Sequence, residues 1–483
     1  MLKTADCPAD TQADSAGGGA SPYTTIAPAC SPAISPDPES TALGFFFHHY
    51  SRAGAGAGAG AGSDRDIEAT CSFFEYLPAM YAGASVSSPL RRATAALAVS
   101  VADLYSPRRR AAGSGDDDSA CRRYVDAVAE TKTALADPTR SRSDELLMTT
   151  LVLEAYDGIA SSFRRQRQTH AHALGSIALL EHRGAFLNSR SELSRRLAIA
   201  AGARFVRDAV GGMASIAAVR RLWEDAGVTS LQGPAITADM LVLELAQLEC
   251  LQPSPGILSQ ASELASRCVR WRTTLPRGWK AAPVPVDALA PSIRAAGAYS
   301  SPTALVPHCD VYRNLSVANT RNRHRITELR NLALMQMSIA AIRPVRSCLH
   351  YEPLPPDLRE RAQALLDEIC ASVPFFAGDA KGGFLLLHDL HHARRAIQLP
   401  HMSRPRSARE SPDDSATGFP EDEAGYAKQV ATSGMWMIRG TLAAALELVA
   451  EKNQALGTVP REGQVWWIKS QLSRLQAVLF EPT

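Results

Sequence analysis

From about residue 67 to residue 480 the apolar side chains recur at three- and four-residue steps, and no stretch sustains a period-two alternation of β-branched residues. A 3.6-residue period builds amphipathic helices, so the chain is predicted to be all-α. Ile67, Phe73, Phe74, Leu77 and Tyr81 set the pattern over 66–82. Pro89 stands where a first helical turn tolerates it and opens 90–104. The next helix, 117–135, carries Tyr124, Val128 and Leu135 on one side and stops at Asp137-Pro138. Ser143 is placed to cap a helix running to about 159, with Asp144 and Glu145 in its first turn. Over 170–182 the inward residues are Leu174, Ile177, Ala178 and Leu180, and Arg183-Gly184 closes the helix. Further helices are predicted over 191–210, 214–226, 237–251, 254–273, 310–342, 356–373, 384–398, 423–453 and 461–479. Most connections are short and often carry Pro, which makes consecutive helices antiparallel neighbours. The expected architecture is therefore a stack of helical hairpins forming one large domain over 67–480. Three longer connections, 108–118, 276–307 and 401–421, are rich in Ser, Pro, Gly or Asp and read as surface loops.

Residues 1–66 have another character. They are rich in Ser, Pro, Gly, Thr and Ala and end in the alternating Ala53–Gly62 tract. Such a segment buries too little apolar surface to offset its ordering entropy, so a largely disordered tail is expected. Its one apolar island, Phe45-Phe46-Phe47-His48-His49-Tyr50, is expected to anchor on the folded body as a short extended or helical piece.

Charge excludes little. Lys and Arg together number 51 against 49 Asp and Glu, for a formal net charge of +2, which does not mark a nucleic-acid binder. Nine cysteines, at 7, 30, 71, 121, 250, 268, 309, 348 and 370, are too few and too scattered for a disulfide scaffold or a Cys-x-x-Cys clip. The first residues lack the apolar run of a secretory signal, and no stretch reaches the about 18 apolar residues of a membrane helix.

Reactive motifs are sparse. Gly54, Gly56 and Gly58 loosely satisfy a dinucleotide-binding pattern, but no second strand follows and a repeat accounts for them. His388, His391 and His392 beside Asp389 could place imidazoles on one helix face, a metal-compatible spacing without a clear further ligand. His170 and His172, two apart, diverge on a helix. There is no Gly-x-Ser-x-Gly elbow and no phosphate-binding Gly-x-x-x-x-Gly-Lys. No catalytic, cofactor or metal residue is assigned, and an enzyme is not expected. Three basic runs, Arg108–Arg110, Arg164-Arg165-Gln166-Arg167 and Arg321-Asn322-Arg323-His324-Arg325, could be nuclear-localisation or anion patches. The third lies inside the long helix predicted over 310–342, flanked by Leu315, Val317, Ile326 and Leu329, where structural use is expected.

A set of ordered patterns resembles the helical regulatory domain of fungal zinc-cluster (Zn2Cys6) transcription factors. It begins with Phe73-Phe74-Glu75-Tyr76-Leu77-Pro78, Ser88-Pro89-Leu90 and the Ala-rich run Ala93–Leu104. Tyr124-x-x-Ala127, Asp144-Glu145-Leu146-Leu147 and Leu153-Glu154-Ala155-Tyr156 follow. Then come His172-Ala173-Leu174-Gly175-Ser176 and Leu179-Leu180-Glu181-His182-Arg183-Gly184. Trp271–Pro276, Val311-Tyr312, Asn322-x-x-Arg325-Ile326, Leu385–Ala396 and Trp466-Trp467-Ile468 complete it. The resemblance implies a nuclear transcription regulator working through protein partners, as a homo- or heterodimer or with a small-molecule effector, with a secondary-metabolite gene cluster as one possible target. The zinc cluster itself needs six closely spaced cysteines, and Cys7 and Cys30 alone precede residue 71. Direct DNA binding by these 483 residues is therefore not expected. The alternatives are a helical scaffold outside transcription, or an all-α enzyme with an apolar pocket.

Overall fold

The computed structural model describes residues 37–47, 73–105, 119–164, 170–184, 191–207, 213–225, 233–285, 308–312, 315–342, 354–377, 434–451 and 455–480. The protein is all-α. Its described residues form fourteen α-helices and one two-stranded ladder, and Pro38–Thr483 is one compact unit.

The first nine helices are α1 (Pro38–Phe46), α2 (Leu77–Gly83), α3 (Pro89–Tyr105), α4 (Ser119–Ala136), α5 (Asp144–Arg164), α6 (Ala171–Arg183), α7 (Glu192–Arg207), α8 (Met213–Asp225) and α9 (Pro234–Glu249). After them come α10 (Pro255–Thr274), α11 (Leu315–Ile342), α12 (Pro356–Ala377), α13 (Met435–Val449) and α14 (Gln464–Phe480). Neighbours in sequence pack on one another at α3 and α4, α5 through α8 in succession, α9 and α10, α11 and α12, and α13 and α14.

Local chemistry sets many of the ends. The Ser143 hydroxyl accepts from Leu146 N at 3.2 Å, and that of Ser254 accepts from Ile257 N at 3.3 Å, so each satisfies a donor the first turn leaves open. Asp137 ends α4 by accepting from the amides of Thr139 and Arg140, which holds its carboxyl below the ordinary range. Gly184, at φ 51°, closes α6 in a backbone conformation that L side chains resist.

The apolar interior forms two large clusters. One gathers residues from α1 through α9, including Phe46, Phe73, Leu90, Leu97, Leu151, Phe205 and Trp223. The other runs from α9 through α14, including Leu245, Trp271, Tyr312, Leu329, Leu366, Phe376, Ile438 and Ile468. α9 belongs to both: Ala238, Leu241 and Leu245 face the second, while Val242, Leu243 and Ala246 face the first. A helix that is apolar on all sides must be buried on all sides.

Several expectations need correction. Within 1–66, α1 buries Phe46 as expected of the anchoring island, but the helix begins at Pro38, seven residues before that island. The helix expected over 66–82 is a 3-10 turn, Phe73–Glu75, followed by α2, because Pro78 fits only near a helix start; residues 66–72 lie outside the described residues. In α6 the buried side is Ala173, Ser176, Ile177 and Leu180, while Leu174 and Ala178 face outward. In α4 the buried residues are Ala127, Thr131 and Ala134, with Leu135 exposed near the helix end.

The expected loop 276–307 begins with a 3-10 turn, Arg277–Trp279, and strand β1 (Ala282–Pro285). Strand β2 (His308–Val311) pairs with β1 antiparallel, Ala282 opposite Val311 and Pro285 opposite His308. α11 therefore starts at Leu315 and not at Asp310. Pro283 and Pro285 can donate no ladder bond, which confines such a strand to the edge of a small sheet. The helix expected over 384–398 and the loop over 401–421 lie outside the described residues.

Candidate functional site

The richest concentration of ionisable groups lies on α11. Its period should leave a polar face in water, yet Asn322, His324, Arg325, Glu328, Asn331 and Gln336 are all buried. A buried charge is tolerated only when paired and hydrogen-bonded, and each of these charges is paired. Arg325 Nη1 donates to Tyr312 Oη at 2.7 Å and to Asn322 Oδ1 at 2.7 Å. Its Nη2 donates to Asp310 Oδ2 at 3.0 Å, and its Nε to Glu368 Oε2 at 2.9 Å. Tyr312 Oη in turn donates to Asp310 Oδ2 at 2.9 Å. Asn322 Nδ2 donates to Ser372 Oγ at 2.9 Å, which ties α11 to α12.

The same seam continues on both sides. Arg361 grips Glu328 with two bonds of 2.6 Å. Arg323 Nη1 donates to Asp239 Oδ1 of α9 at 2.7 Å. His324 stacks on Trp271 of α10, centroids 4.0 Å apart and 20° from parallel, and Arg321 lies over the same indole at 5.8 Å. Trp271 Nε1 donates to Pro234 O at 2.8 Å. α11 is thus joined by polar contacts to α9, α12 and β2, and by ring stacking to α10.

The electrostatics follow from burial. Burial opposes the charge of Arg325, but Tyr312, Glu368 and Asp310 outweigh it and hold the guanidinium protonated. Burial pushes the Tyr312 hydroxyl up, so it stays neutral and can donate. His324 is driven down to about 3 by burial and by the neighbouring Arg321, Arg272 and Arg325. Burial also pushes the Glu328 carboxyl up to about 7, with Arg272 and Arg321 opposing the rise and Glu368 adding to it.

A second polar group joins α4, α5 and α6. Tyr124 Oη lies 2.8 Å from His172 Nε2, and that nitrogen is 3.6 Å from Asp157 Oδ2. Tyr124 also stacks on Tyr156 at 4.5 Å. Burial raises the Tyr124 hydroxyl, with Asp157 adding to the shift, and burial lowers His172 against the pull of Asp157 and Glu154. At the start of α5, Arg183 and Ser194 both reach Asp144, Ser194 at 2.8 and 2.7 Å to its two oxygens. Ser88 Oγ donates to Glu145 Oε1 at 2.7 Å, and Arg204 pairs with Glu154 at 3.1 Å.

The sequence candidates scatter. His172 enters the tyrosine group, whereas His170 opens α6 at φ 55°. His388, Asp389, His391 and His392 lie outside the described residues, as do Gly54, Gly56, Gly58, Arg108–Arg110 and 165–167. The third basic run is drawn inward, the structural use expected of it. Among the described residues, Cys268, Cys309 and Cys370 are buried and unpaired, and burial pushes each thiol up to about 12. No group of three or more His, Cys, Asp or Glu among the described residues is arranged to hold a metal. No described helix is long and apolar enough to cross a membrane. The seam partners Asp310, Glu328, Arg361 and Glu368 were not singled out by sequence reading, because they sit up to 58 positions apart and share no local pattern.

Comparison with family models, curated proteins and solved structures finds no match for this chain.

Proposed function

We propose that the chain is the helical regulatory part of a transcription regulator resembling the fungal zinc-cluster type; these 483 residues themselves contain no six-cysteine cluster. It works in the nucleus through protein partners or an effector, and a secondary-metabolite gene cluster is its proposed target. One observation supports this reading: side chains of the motifs that carry the resemblance find one another across the fold. Ser88 meets Glu145, Tyr124 meets Tyr156 and His172, and Arg183 meets Asp144. Arg325 meets Tyr312 and Asn322. Contacts of this kind are those expected if the motifs belong to one helical domain. Their pairing also commits these groups to holding helices together, a use suited to a domain contacted from outside.

The test joins the full chain to an unrelated DNA-binding domain and reads a reporter beside mapping of a tagged copy in the native host. A reporter change of at least five-fold, nuclear signal and altered transcripts on deletion are expected. Cytoplasmic residence with an unchanged reporter and unchanged transcripts would overturn the proposal in favour of a scaffold outside transcription.

A further inference from the structure

α1 has nine residues, fewer than the about 12–15 that an isolated helix needs to persist in water. Its helical state therefore depends on its seat. Glu39, Ala42 and Phe46 stand at i, i+3 and i+7 and form one stripe. Ala42 and Phe46 are buried in the first apolar cluster, against α3. The Phe46 ring meets Phe74 edge-on at 5.5 Å, and Phe47 meets Tyr81 of α2 at 5.4 Å. At the other end Glu39 Oε2 accepts from Arg123 Nε at 2.9 Å and pairs with its Nη2 at 2.8 Å. Anchors spaced over two turns, with a charge at one end and aromatics at the other, are the mode by which a groove recognises a separate helix.

The geometry points to a helix-docking site formed by Phe74, Tyr81, α3 and Arg123, with α1 as its occupant in cis. The partner it fits is another polypeptide whose amphipathic helix places a carboxylate seven residues before a phenylalanine. α1 and such a partner exclude each other, so release of α1 is the step that opens the site. This inference rests on packing and charge alone and does not depend on a role in transcription.

The probe is a labelled peptide of residues 36–50, added to the purified full chain. A Phe46→Ser chain, whose own α1 seats poorly, is expected to bind it at least ten-fold more tightly than the unaltered chain. Adding Arg123→Glu to that chain should weaken binding at least five-fold, and a Glu39→Arg peptide should restore it. A second variant, Gly44→Pro, breaks α1 at an exposed position that touches nothing in the seat and should behave like Phe46→Ser. Equal or absent binding by folded Phe46→Ser and Gly44→Pro chains would overturn the inference. Failure of both variants to fold would overturn it too, since α1 would then be part of the core and not an occupant.

Discussion

The two apolar clusters flank the same helix, α9, but they are specified differently. The first is filled by small and aliphatic side chains and aromatic rings, Leu97, Leu151 and Trp223 among its fully buried members. Its polar ties are separate pairs or small groups: Ser88 with Glu145, Arg183 and Ser194 with Asp144, Arg204 with Glu154. The second is crossed by α11, whose Arg325 centres a connected group reaching β2 and α12, with separate ties from the same helix to α9 and α10. Shape governs the first region, since close-packed interiors accept many apolar sequences of the right volume. Directional bonds govern the second, where a shifted α11 would leave buried charges unpaired.

The sharpest way to break this contrast is Arg325→Met. It strips the buried Asp310 of its guanidinium partner and leaves Tyr312 and Asn322 without a donor, and a loss of about 3–5 kcal/mol is expected in urea unfolding. Arg183→Met, on the first side, should cost roughly half as much because its partner Asp144 remains 23% exposed. Equal losses would mean that the seam is no more than a set of pairs.

Acid should separate the regions next. His324 is held neutral from its ordinary 6.5 down to about 3, so the unfolded chain binds the proton first. The stability this contributes is complete above about pH 6.5 and falls as pH drops toward 3. His324→Phe keeps the stack on Trp271 and removes the titration. Its stability relative to the unaltered chain should rise by about 3 kcal/mol between pH 7 and pH 4. Glu328, raised by burial, titrates in the opposite sense, which is why the difference between the two chains is the quantity to follow.

Two glycines test how tightly each region is packed. A β-carbon on Gly202 would lie 2.2 Å from Trp223 Nε1, and one on Gly434 would lie 2.4 Å from Phe376 O. Gly202→Ala and Gly434→Ala should each lower stability by about 1–3 kcal/mol, read as a drop in melting temperature. Smallest of all, Ser254→Ala should cost about 1 kcal/mol by removing the cap of α10.

Helix positions and caps were legible in the sequence because they depend on neighbours a few residues away. Ser143, Gly184 and the Pro residues opening α3 and α12 announce those ends directly. Of α1 only the C-terminal end was legible, through the Phe45–Phe47 island; its first turns, Pro38–Thr41, sit in a composition that suggests no order. The β1–β2 ladder escaped notice because its first strand is Ala-Pro-Val-Pro, which shows no apolar alternation of useful length. The burial of α11 was anticipated only as structural use of its basic run. Nothing local tells a solvated Arg325 from a buried one when its partners Asp310, Tyr312 and Glu368 lie 13 or more positions away.

α9 has a consequence for how the chain comes apart. Each half borrows a wall from this one segment, so a protease cut between 250 and 254 would leave the C-terminal piece roofless, and a cut before 233 would do the same to the N-terminal piece. The halves should therefore melt together in a single transition, and neither fragment should survive digestion alone.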